Sequence, residues 1–504
     1  MKTTKTSRTA AMMTSTSLLV LGLFCAAPAM AQATLVGAPG QALTAGTVST
    51  VSGGIYDSGS GGPVSVYTEE NNDTQTATGA ELNAVWTALN FESDTSTTGL
   101  LTVVIDGNSW IESANGHAVT VYGGAESVLL DASSGGNTFI AGANGLDVHS
   151  NDGSVTIRNG ANTILAGSRG IVAQTSGGGI TVDSIGGTID AYYSGIYADT
   201  DGGGNVVIGQ GTGITTAITM FEQADGEGGF YAPGTGIEAY AYDADTIDIR
   251  TGAGGTIDGG RTGIYSRAQQ GATTINVGAA IGGATTPTFA GVDALSYGGT
   301  ITINTTAAVS ADTVGLRLET QGGEGSLTAN VGGDVTSNGS GVVMLVSDPF
   351  VMPFVPPVSP FGAGTFAAIP VPDVTGDATL TLTGPVAIRA NGLYGIDVRT
   401  TSGTINVTAL DGLSSVTATE GAGVDLYSQT GAINLTFNGA ISSTGGAGVY
   451  AASAGNIDLR VGTVTTVGGS SYTNYGAGSG FAVNVYATGG SVNIDASGPV
   501  TGGA

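Results

Sequence analysis

Apolar and polar residues alternate one by one in many short stretches of the chain. Ile171, Ala173 and Thr175 occupy every second position of one stretch, and Ile247 and Ile249 do so in another. Successive side chains of a β-strand point to opposite faces, so this period marks strands with one buried side. Over most of the chain there is no sustained helical period. The pattern predicts an all-β protein made of short strands.

Glycine interrupts these strands at regular intervals. One unit reads Gly-Ile-Val-Ala-Gln-Thr from Gly170, Gly-Ile-Thr-Val-Asp-Ser from Gly179 and Gly-Thr-Ile-Asp-Ala from Gly187, before the next opens at Gly195. The same opening, glycine followed by apolar-x-apolar, recurs at Gly145, Gly170, Gly195, Gly236, Gly263, Gly291, Gly315, Gly341, Gly395, Gly423 and Gly448. Most gaps are about 25 to 28 residues; we interpret the gap of 41 as one unit with an insertion and the gap of 54 as two units. Repeats of this length are typical of solenoids.

Strands this short cannot bury an apolar side singly, but stacked units bury a common core. The repeat therefore predicts a right-handed parallel β-helix (solenoid) with three short strands per turn and about 14 turns from Gly145 onwards. Glycines at the corners are expected to supply a positive φ. A barrel or sandwich is the competing all-β fold, but it predicts hairpin signals such as Asn-Gly instead of identical three-strand units.

The amino terminus has the features of a secretory signal peptide, residues 1–31. Three basic residues, Lys2, Lys5 and Arg8, precede the apolar run LLVLGLFCAA, and Ala29-Met30-Ala31 forms a small-x-small cleavage site. The only cysteine, Cys25, lies within it. We therefore expect a protein exported by a Sec-type signal, with a thiol-free mature chain.

The rest of the chain divides at about residue 100. Residues 32–100 are expected to form a leader with a candidate cap, because Leu82, Val85, Trp86 and Leu89 fall on one face of a helix over 81–90. Residues 101–504 are expected to form the β-helix. With 39 Asp and Glu against 12 Lys and Arg, the chain has a formal net charge of −27, which makes nucleic acid a poor partner.

The Gly-Ile-x-Ala-x-Thr cadence, the signal and the thiol-free acidic body resemble the passenger domain of an autotransporter (type V secretion), from about Thr102 to Gly503. The resemblance implies an extracellular or cell-surface (outer membrane) location in a Gram-negative organism, and a membrane β-barrel beyond this chain. It also implies a non-enzymatic adhesin or structural rod, whose partner is a protein or glycan of a host or neighbouring cell. The alternative is a β-helix carbohydrate-active enzyme of the polysaccharide lyase or hydrolase type.

The chain offers no catalytic, cofactor-binding or metal-binding set that we would assign. Asp57-Ser58-Gly59 resembles a serine-protease nucleophile, but His117 and His149 are the only histidines, and the surrounding sequence is a glycine-serine linker. The glycine-rich stretches do not contain the tandem calcium-binding nonapeptide. We therefore predict no enzyme activity and no cofactor.

If the units stack in register, the outward residue after each opening Gly-Ile forms one column. It consists of Asp147, Val172, Tyr197, Glu238, Tyr265, Asp293, Arg317, Val343, Asp397, Asp425 and Tyr450. Its tyrosines and acids predict a partner contact at Tyr197, Glu238, Tyr265 and Asp293. Asp397 and Asp425 would be neighbours of like charge, relieved by a bound cation or, as we favour, by divergence of their side chains. A further outward column, Asn406, Asn434, Asp458 and Asn493, predicts a hydrogen-bonded ladder.

Two stretches interrupt the cadence and are interpreted as insertions. Residues 347–373 hold seven of the fourteen prolines, which are excluded from a strand ladder, together with Phe350, Phe354, Phe361 and Phe366. So much apolar surface either folds back on the rod or contacts something else, and we predict that these four phenylalanines contact a partner. Residues 208–233 are a weaker insertion of the same kind, with Phe221, Phe230 and Tyr231.

Overall fold

The computed structural model describes residues 43–44, 48–57, 64–68, 74–93, 99–106, 108–221, 223–224, 230–231, 234–243, 245–283, 285–347, 375–467 and 480–503. The predicted signal peptide, 1–31, lies outside the described residues. Within them every regular element is a β-strand, and no helix is long and apolar enough to cross a membrane.

The first face of the coil is a parallel sheet of 16 strands, one from each successive turn. Most of these strands begin just after, or one residue before, an opening glycine. They are Leu43–Thr44, Val64–Thr68, Leu89–Ser93, Val119–Gly123, Leu146–Ser150, Arg169–Thr175, Ser194–Thr200, Thr235–Ala241, Thr262–Ala268, Ala290–Ser296, Val314–Gln321, Ser340–Ser347, Ile396–Thr400, Val424–Ser428, Val449–Ser453 and Val483–Ala487.

The other two faces share the remaining 28 parallel strands. The second face contains Leu100–Asp106, Ser127–Ala132, Val155–Asn159, Ile180–Ser184, Val206–Ile208, Ile247–Thr251, Thr273–Val277, Ile301–Thr305, Leu327–Val331, Ala378–Leu382, Ile405–Ala409 and Val492–Ala496. The third contains Trp110–Ser113, Thr138–Ala141, Thr163–Ala166, Thr188–Ala191, Ala217–Met220, Thr256–Asp258, Ala280–Ile281, Val309–Ala311, Val335–Ser337, Ala387–Ala390, Ser415–Ala418 and Val500–Thr501. Four longer strands continue across the corner between these two faces: Val48–Asp57, Thr74–Ala84, Ile433–Ser443 and Ile457–Thr466. The fold is thus a right-handed parallel β-helix with three strands per turn, as predicted.

The core is a single column of inward side chains that runs along the coil. On the first face Ile171, Ile196, Ile237 and Ile264 stack in consecutive turns, each fully buried. The buried cluster continues without a break from Ala77 to Ala482. Burying one such side chain stabilises the folded state by about 1.5–3 kcal/mol, so the stability of the rod is distributed over its turns.

The opening glycines are required by packing. A Cβ on Gly170 would lie 2.3 Å from the Cγ2 of Ile189 on the third face and 2.6 Å from the carbonyl oxygen of Gly195. Gly170 has no positive φ, so the expected reason for glycine is wrong at this position. It holds at other corners, where Gly186 and Gly187 both have a φ of 72°.

The coil extends further towards the amino terminus than expected. Thr74–Ala84 is a strand that pairs in parallel with Leu100–Asp106 and Trp110–Ser113, so the predicted helix over 81–90 is wrong. Pairing of the first face reaches back to Leu43–Thr44. Residues 81–90 span the end of one strand at Ala84, a corner that contains Val85 and Trp86, and the start of the next strand at Leu89, and a short window does not distinguish this spacing from one helical face.

Fewer turns than predicted follow Gly145. Val342 pairs directly with Ile396, so the gap of 54 residues is one turn with an insertion instead of two turns. About 12 turns therefore replace the predicted 14. Residues 348–374, which include Phe350, Phe354, Phe361 and Phe366, lie outside the described residues. Around 208–233 the structure describes an antiparallel hairpin, Gln223–Ala224 with Phe230–Tyr231, and the Phe221 ring lies 6.2 Å from that of Tyr192.

Candidate functional site

The outward column predicted on the first face is confirmed by the strand register. Tyr197 pairs with Glu238, Glu238 with Tyr265, and Tyr265 with Asp293. All eleven predicted residues follow one another in this way, one per turn, from Asp147 to Tyr450. We call them the central column. Their role as partner contacts stays a prediction.

The central column is the floor of a groove, because outward side chains flank it on both sides. The upstream column lies three positions before each central residue and consists of Asn144, Arg169, Ser194, Thr235, Thr262, Ala290, Val314, Ser340, Tyr394, Ala422 and Ala447, with His117 at the same place in the preceding turn. The downstream column lies two positions after each central residue and consists of His149, Gln174, Asp199, Tyr240, Arg267, Leu295, Glu319, Leu345, Arg399, Tyr427 and Ala452, with Tyr122 and Tyr486 at the same place in the turns before and after.

The depth of the floor is visible in its carboxylates, which are buried although they point away from the core. Asp147, Asp293, Asp397 and Asp425 are only 4 to 7% exposed. A buried carboxylate is costly unless hydrogen bonds or opposite charges compensate it. Each of these four has such a partner, and the partners belong to the flanking columns or, in the case of Arg317, to the next turn of the floor.

Asp147 is held between the chain's two histidines. His149 Nε2 lies 2.6 Å from Asp147 Oδ1, and His117 Nδ1 lies 3.1 Å from Asp147 Oδ2. Asn144 Nδ2 donates a further hydrogen bond of 3.1 Å to Oδ2. Burial alone would raise the pKa of Asp147, but the contacts with His149, His117 and Asn144 outweigh it and hold the pKa below its usual value. Both histidines therefore contact a carboxylate of the first face. Ser58 and Gly59 of the Asp57-Ser58-Gly59 stretch lie outside the described residues.

Further along the floor, tyrosines alternate with acids. The Tyr197 hydroxyl donates to Asp199 Oδ2 at 2.8 Å, and the Tyr240 hydroxyl donates to Glu238 Oε1 at 2.5 Å. The rings of Tyr197, Tyr240 and Tyr265 form a tilted series with centroids 5.8 and 5.7 Å apart. We call Tyr197, Asp199, Glu238, Tyr240 and Tyr265 the tyrosine–carboxylate patch.

A cation compensates Asp293. The Arg317 guanidinium lies 3.4 Å from both carboxylate oxygens of Asp293 and also contacts Glu319, which in turn accepts a hydrogen bond from Gln321. Burial raises the pKa of Asp293, the nearby Glu319 raises it further, and Arg317 counteracts both. One arginine thus serves two carboxylates.

The same arrangement relieves the pair Asp397 and Asp425, which are direct register partners as predicted. Arg399 Nε donates to Asp397 Oδ1 at 2.8 Å, and Arg399 Nη2 lies 3.7 Å from Asp425 Oδ2. The repulsion between the two carboxylates is therefore compensated mainly by the bridging Arg399, and not by the divergence of the side chains that we favoured. Burial and the charge of Asp397 raise the pKa of Asp425 to about 7, against the opposing effect of Arg399.

Sequence reasoning missed the downstream column, which supplies His149, Tyr240 and Arg399. The signal was present, since these residues stand two positions after a predicted outward residue and strands alternate. The upstream residues His117 and Tyr394 were harder to find, because they precede the strand and face the groove only once the corner is built. The Arg399 guanidinium lies 6.0 Å from the Tyr394 ring across the floor.

The predicted ladder on the second face is also present in part. Asn406, Asn434, Asp458 and Asn493 stack in register, with hydrogen bonds of 2.9 Å from Asn434 to Asn406 and 3.2 Å from Asn493 to Asp458. The same face carries another ladder, in which Asn330 donates to Asn304 and Asn304 to Asn276, both at 2.8 Å. These contacts join successive turns and are structural.

Among the described residues, no group of three or more His, Cys, Asp or Glu side chains is arranged to hold a metal ion. Comparisons with protein-family models, with curated proteins and with solved structures found no match.

Proposed function

We propose that the protein is an exported surface rod, of the type that autotransporters display outside the cell, and that it attaches to a partner through the groove of the first face. The observation that carries the proposal is the unbroken central column, in which tyrosines and acids occupy eight of eleven turns, four of them consecutive from Tyr197 to Asp293, between two rows of flanking side chains. A repeated, continuous groove suits contact with an extended partner better than turnover of a small substrate.

Export and surface display are supported by the sequence of residues 1–31 and by the thiol-free body. With an epitope tag inserted into its natural gene, so that any membrane barrel beyond residue 504 is retained, the protein is expected in the surface fraction and is expected to be cut by protease added outside the cell. Retention of intact chain inside the cell would contradict this part of the proposal.

Attachment is tested with beads coated with residues 32–504 and applied to cells before and after removal of surface glycans and surface proteins. We expect attachment to fall severalfold in a Tyr197→Ser/Tyr265→Ser variant. The control is Trp110→Ser, because Trp110 is an aromatic residue that is 38% exposed and lies on the third face, outside the groove. Equal attachment by all three proteins would remove the groove from the proposal.

A carbohydrate-active enzyme is the second candidate, and one observation favours it. Asp397 and Asp425 lie side by side with Arg399 between them, and burial raises the pKa of both carboxyl groups, that of Asp425 to about 7. A carboxylic acid that keeps its proton near neutral pH beside a second carboxyl group is what glycoside hydrolysis requires. Depolymerisation of acidic or neutral polysaccharides by the wild type, abolished in Asp425→Asn, would rank this function first.

A further inference from the structure

The tyrosine–carboxylate patch differs from the rest of the floor in how its acids are compensated. Elsewhere each buried acid has a basic partner: two histidines for Asp147, Arg317 for Asp293, and Arg399 for Asp397 and Asp425. In the patch, Glu238 accepts hydrogen bonds from the hydroxyls of Tyr240 and Ser194, and Asp199 accepts one from Tyr197. None of the ion pairs found among the described residues includes Glu238 or Asp199.

The two arginines next to the patch contact aromatic rings. The Arg169 guanidinium lies 4.1 Å from the centroid of the Tyr197 ring. The Arg267 guanidinium lies 5.0 Å from the Tyr297 ring and donates to its hydroxyl at 2.9 Å. A cation over an aromatic face is a favourable contact. One cation, Arg169, thus lies over a ring of the patch, and neither arginine forms an ion pair with the carboxylates of the patch.

The electrostatics of Asp199 report the same excess of negative charge. Burial raises its pKa, and the charges of Asp201 and Glu238 raise it further, although hydrogen bonds from Tyr197 and Gln174 act in the opposite direction. A group whose proton is held more tightly because of neighbouring acids lies in a negative potential. A bound cation would make that potential less negative, and a neutral ligand would leave it unchanged.

A depression of about 160 Å³ opens beside the patch. Its walls include Tyr122, His149, Asn151, Gln174, Asp199 and Asp201. It therefore combines a carboxylate floor, an aromatic ring and amide groups in one concave space. Carboxylates and amide oxygens accept hydrogen bonds from the N–H groups of a guanidinium or ammonium ion, and aromatic rings contact its positive charge.

We propose that the patch and this depression bind the arginine or lysine side chains of a basic segment on a partner protein. The proposal deepens the proposed function, on which it rests, by naming the partner of the groove. The whole chain supports such a partner, because a formal net charge of −27 steers basic proteins towards it and repels polyanions. A neutral glycan meets the same hydroxyl and ring contacts but leaves the charge of Asp199 and Glu238 uncompensated.

Binding of a fluorescent peptide that contains arginine and lysine tests the proposal, measured by anisotropy with the mature full chain at low and at physiological salt. A neutral Gly-Ser peptide and a neutral oligosaccharide serve as the other probes. We expect the Kd for the basic peptide to rise about tenfold or more in Asp199→Asn/Glu238→Gln. The matched control is Asp248→Asn/Asp458→Asn, which removes the same charge from the second face, where these side chains are 42 and 39% exposed.

A second variant keeps the test independent of the charge of the chain. Tyr240→Phe retains the ring but frees Glu238 from one of its two hydroxyl donors, so binding of the basic peptide is expected to be unchanged or tighter, whereas Tyr240→Ala is expected to weaken it. Each variant is compared with the wild type by circular dichroism and thermal unfolding, so that a folding defect is recognised.

The outcomes separate this inference from the proposed function. Equal loss of peptide binding in the patch variant and in the second-face control would mean general attraction to an acidic chain and would overturn the site. Binding of the oligosaccharide instead of the peptide, lost in the patch variant, would overturn the basic partner while the groove keeps its proposed function. If beads attach to cells through the groove but no basic peptide binds, only the inference fails.

Discussion

The first and second faces of the coil are built from the same alternation and the same turns, yet they treat their outward side chains differently. On the second face Asp248 and Asp458 stand 42 and 39% exposed beside Arg250 and Arg460. On the first face the side chains of Asp397 and Asp425 are 10 and 7% exposed and share Arg399, itself 19% exposed. The charged groups are of the same kind, but the exposed fraction of the aspartate side chains is several-fold lower on the first face.

The number of outward columns explains this difference. A second-face strand such as Ile247–Thr251 presents two outward residues, so neither of them has an outward neighbour on both sides within the strand. The first face has a third outward column, which lies at the start of seven-residue strands such as Thr262–Ala268 or just before five-residue strands, as Tyr394 does before Ile396–Thr400. The middle one is covered from both sides. Ion pairs in water contribute little to stability and buried ones depend strongly on both partners, so the two faces should respond differently to the same substitution.

Loss of the bridging arginine is expected to have the largest effect. Arg399→Met leaves Asp397 and Asp425 buried as neighbours without a cation, and we expect it to lower the free energy of unfolding by about 2–4 kcal/mol. Arg250→Met, on the exposed face, should change it by less than about 0.5 kcal/mol. Urea unfolding followed by circular dichroism measures both. Similar losses in the two variants would show that the faces do not differ in depth as described.

The second-largest loss of stability is expected when a methyl group is added to an opening glycine. Gly195→Ala places a Cβ 2.3 Å from Ile218 Cγ2 and 2.6 Å from the carbonyl oxygen of Gly236, and overpacking of this kind costs about 1–3 kcal/mol. Gly412→Ala is the control, since its Cβ has no atom within 4 Å. Thermal unfolding of both variants checks this, and an unchanged melting temperature in Gly195→Ala would contradict the packing role of the glycine.

The pH dependence of stability should depend on Asp425. Its pKa is raised from 3.8 to about 7 in the folded chain, so the folded state holds this proton more tightly than the unfolded state. The contribution of this proton to the free energy of unfolding is fully present below about pH 4 and is lost as pH rises through about 7. We expect stability to fall over that window and Asp425→Asn to flatten the profile. The urea midpoint at several pH values measures it.

Asp147 provides a contrast of opposite sign within the same column. Because its pKa is lowered, the stabilisation from its histidine contacts is present at neutral pH and lost as pH falls below about 4. Asp147→Asn should therefore remove the loss of stability that the wild type shows below about pH 4. An acid profile that keeps this loss in Asp147→Asn would refute the assignment.

The asparagine ladder of the second face should give the smallest effect. Asn304→Ala removes one hydrogen bond to Asn276 and one from Asn330, both of 2.8 Å, and we expect a loss of about 1 kcal/mol. Thr302→Ala, on the outward side of the same strand, is the comparison. If the two variants are equally stable in urea, the ladder contributes nothing beyond the backbone pairing.

Several parts of this picture could be predicted from the sequence. The alternation identified the strands, and the glycine spacing identified which residues of successive units pair, so the central column from Asp147 to Tyr450 was correct in every member. The errors arose where length alone was the guide. The 54 residues between Gly341 and Gly395 fit two units by arithmetic, and only the pairing of Val342 with Ile396 shows one.

The sequence by itself determined the period of the coil and the residues that stack, because strand alternation and repeat spacing are local properties of the chain. The tertiary structure decided what lies beside each column. His117 reaches Asp147 from the preceding turn, and Ile189 on the third face excludes a side chain from Gly170. Such contacts depend on where the corners bring side chains together in space, and no spacing along the chain encodes that.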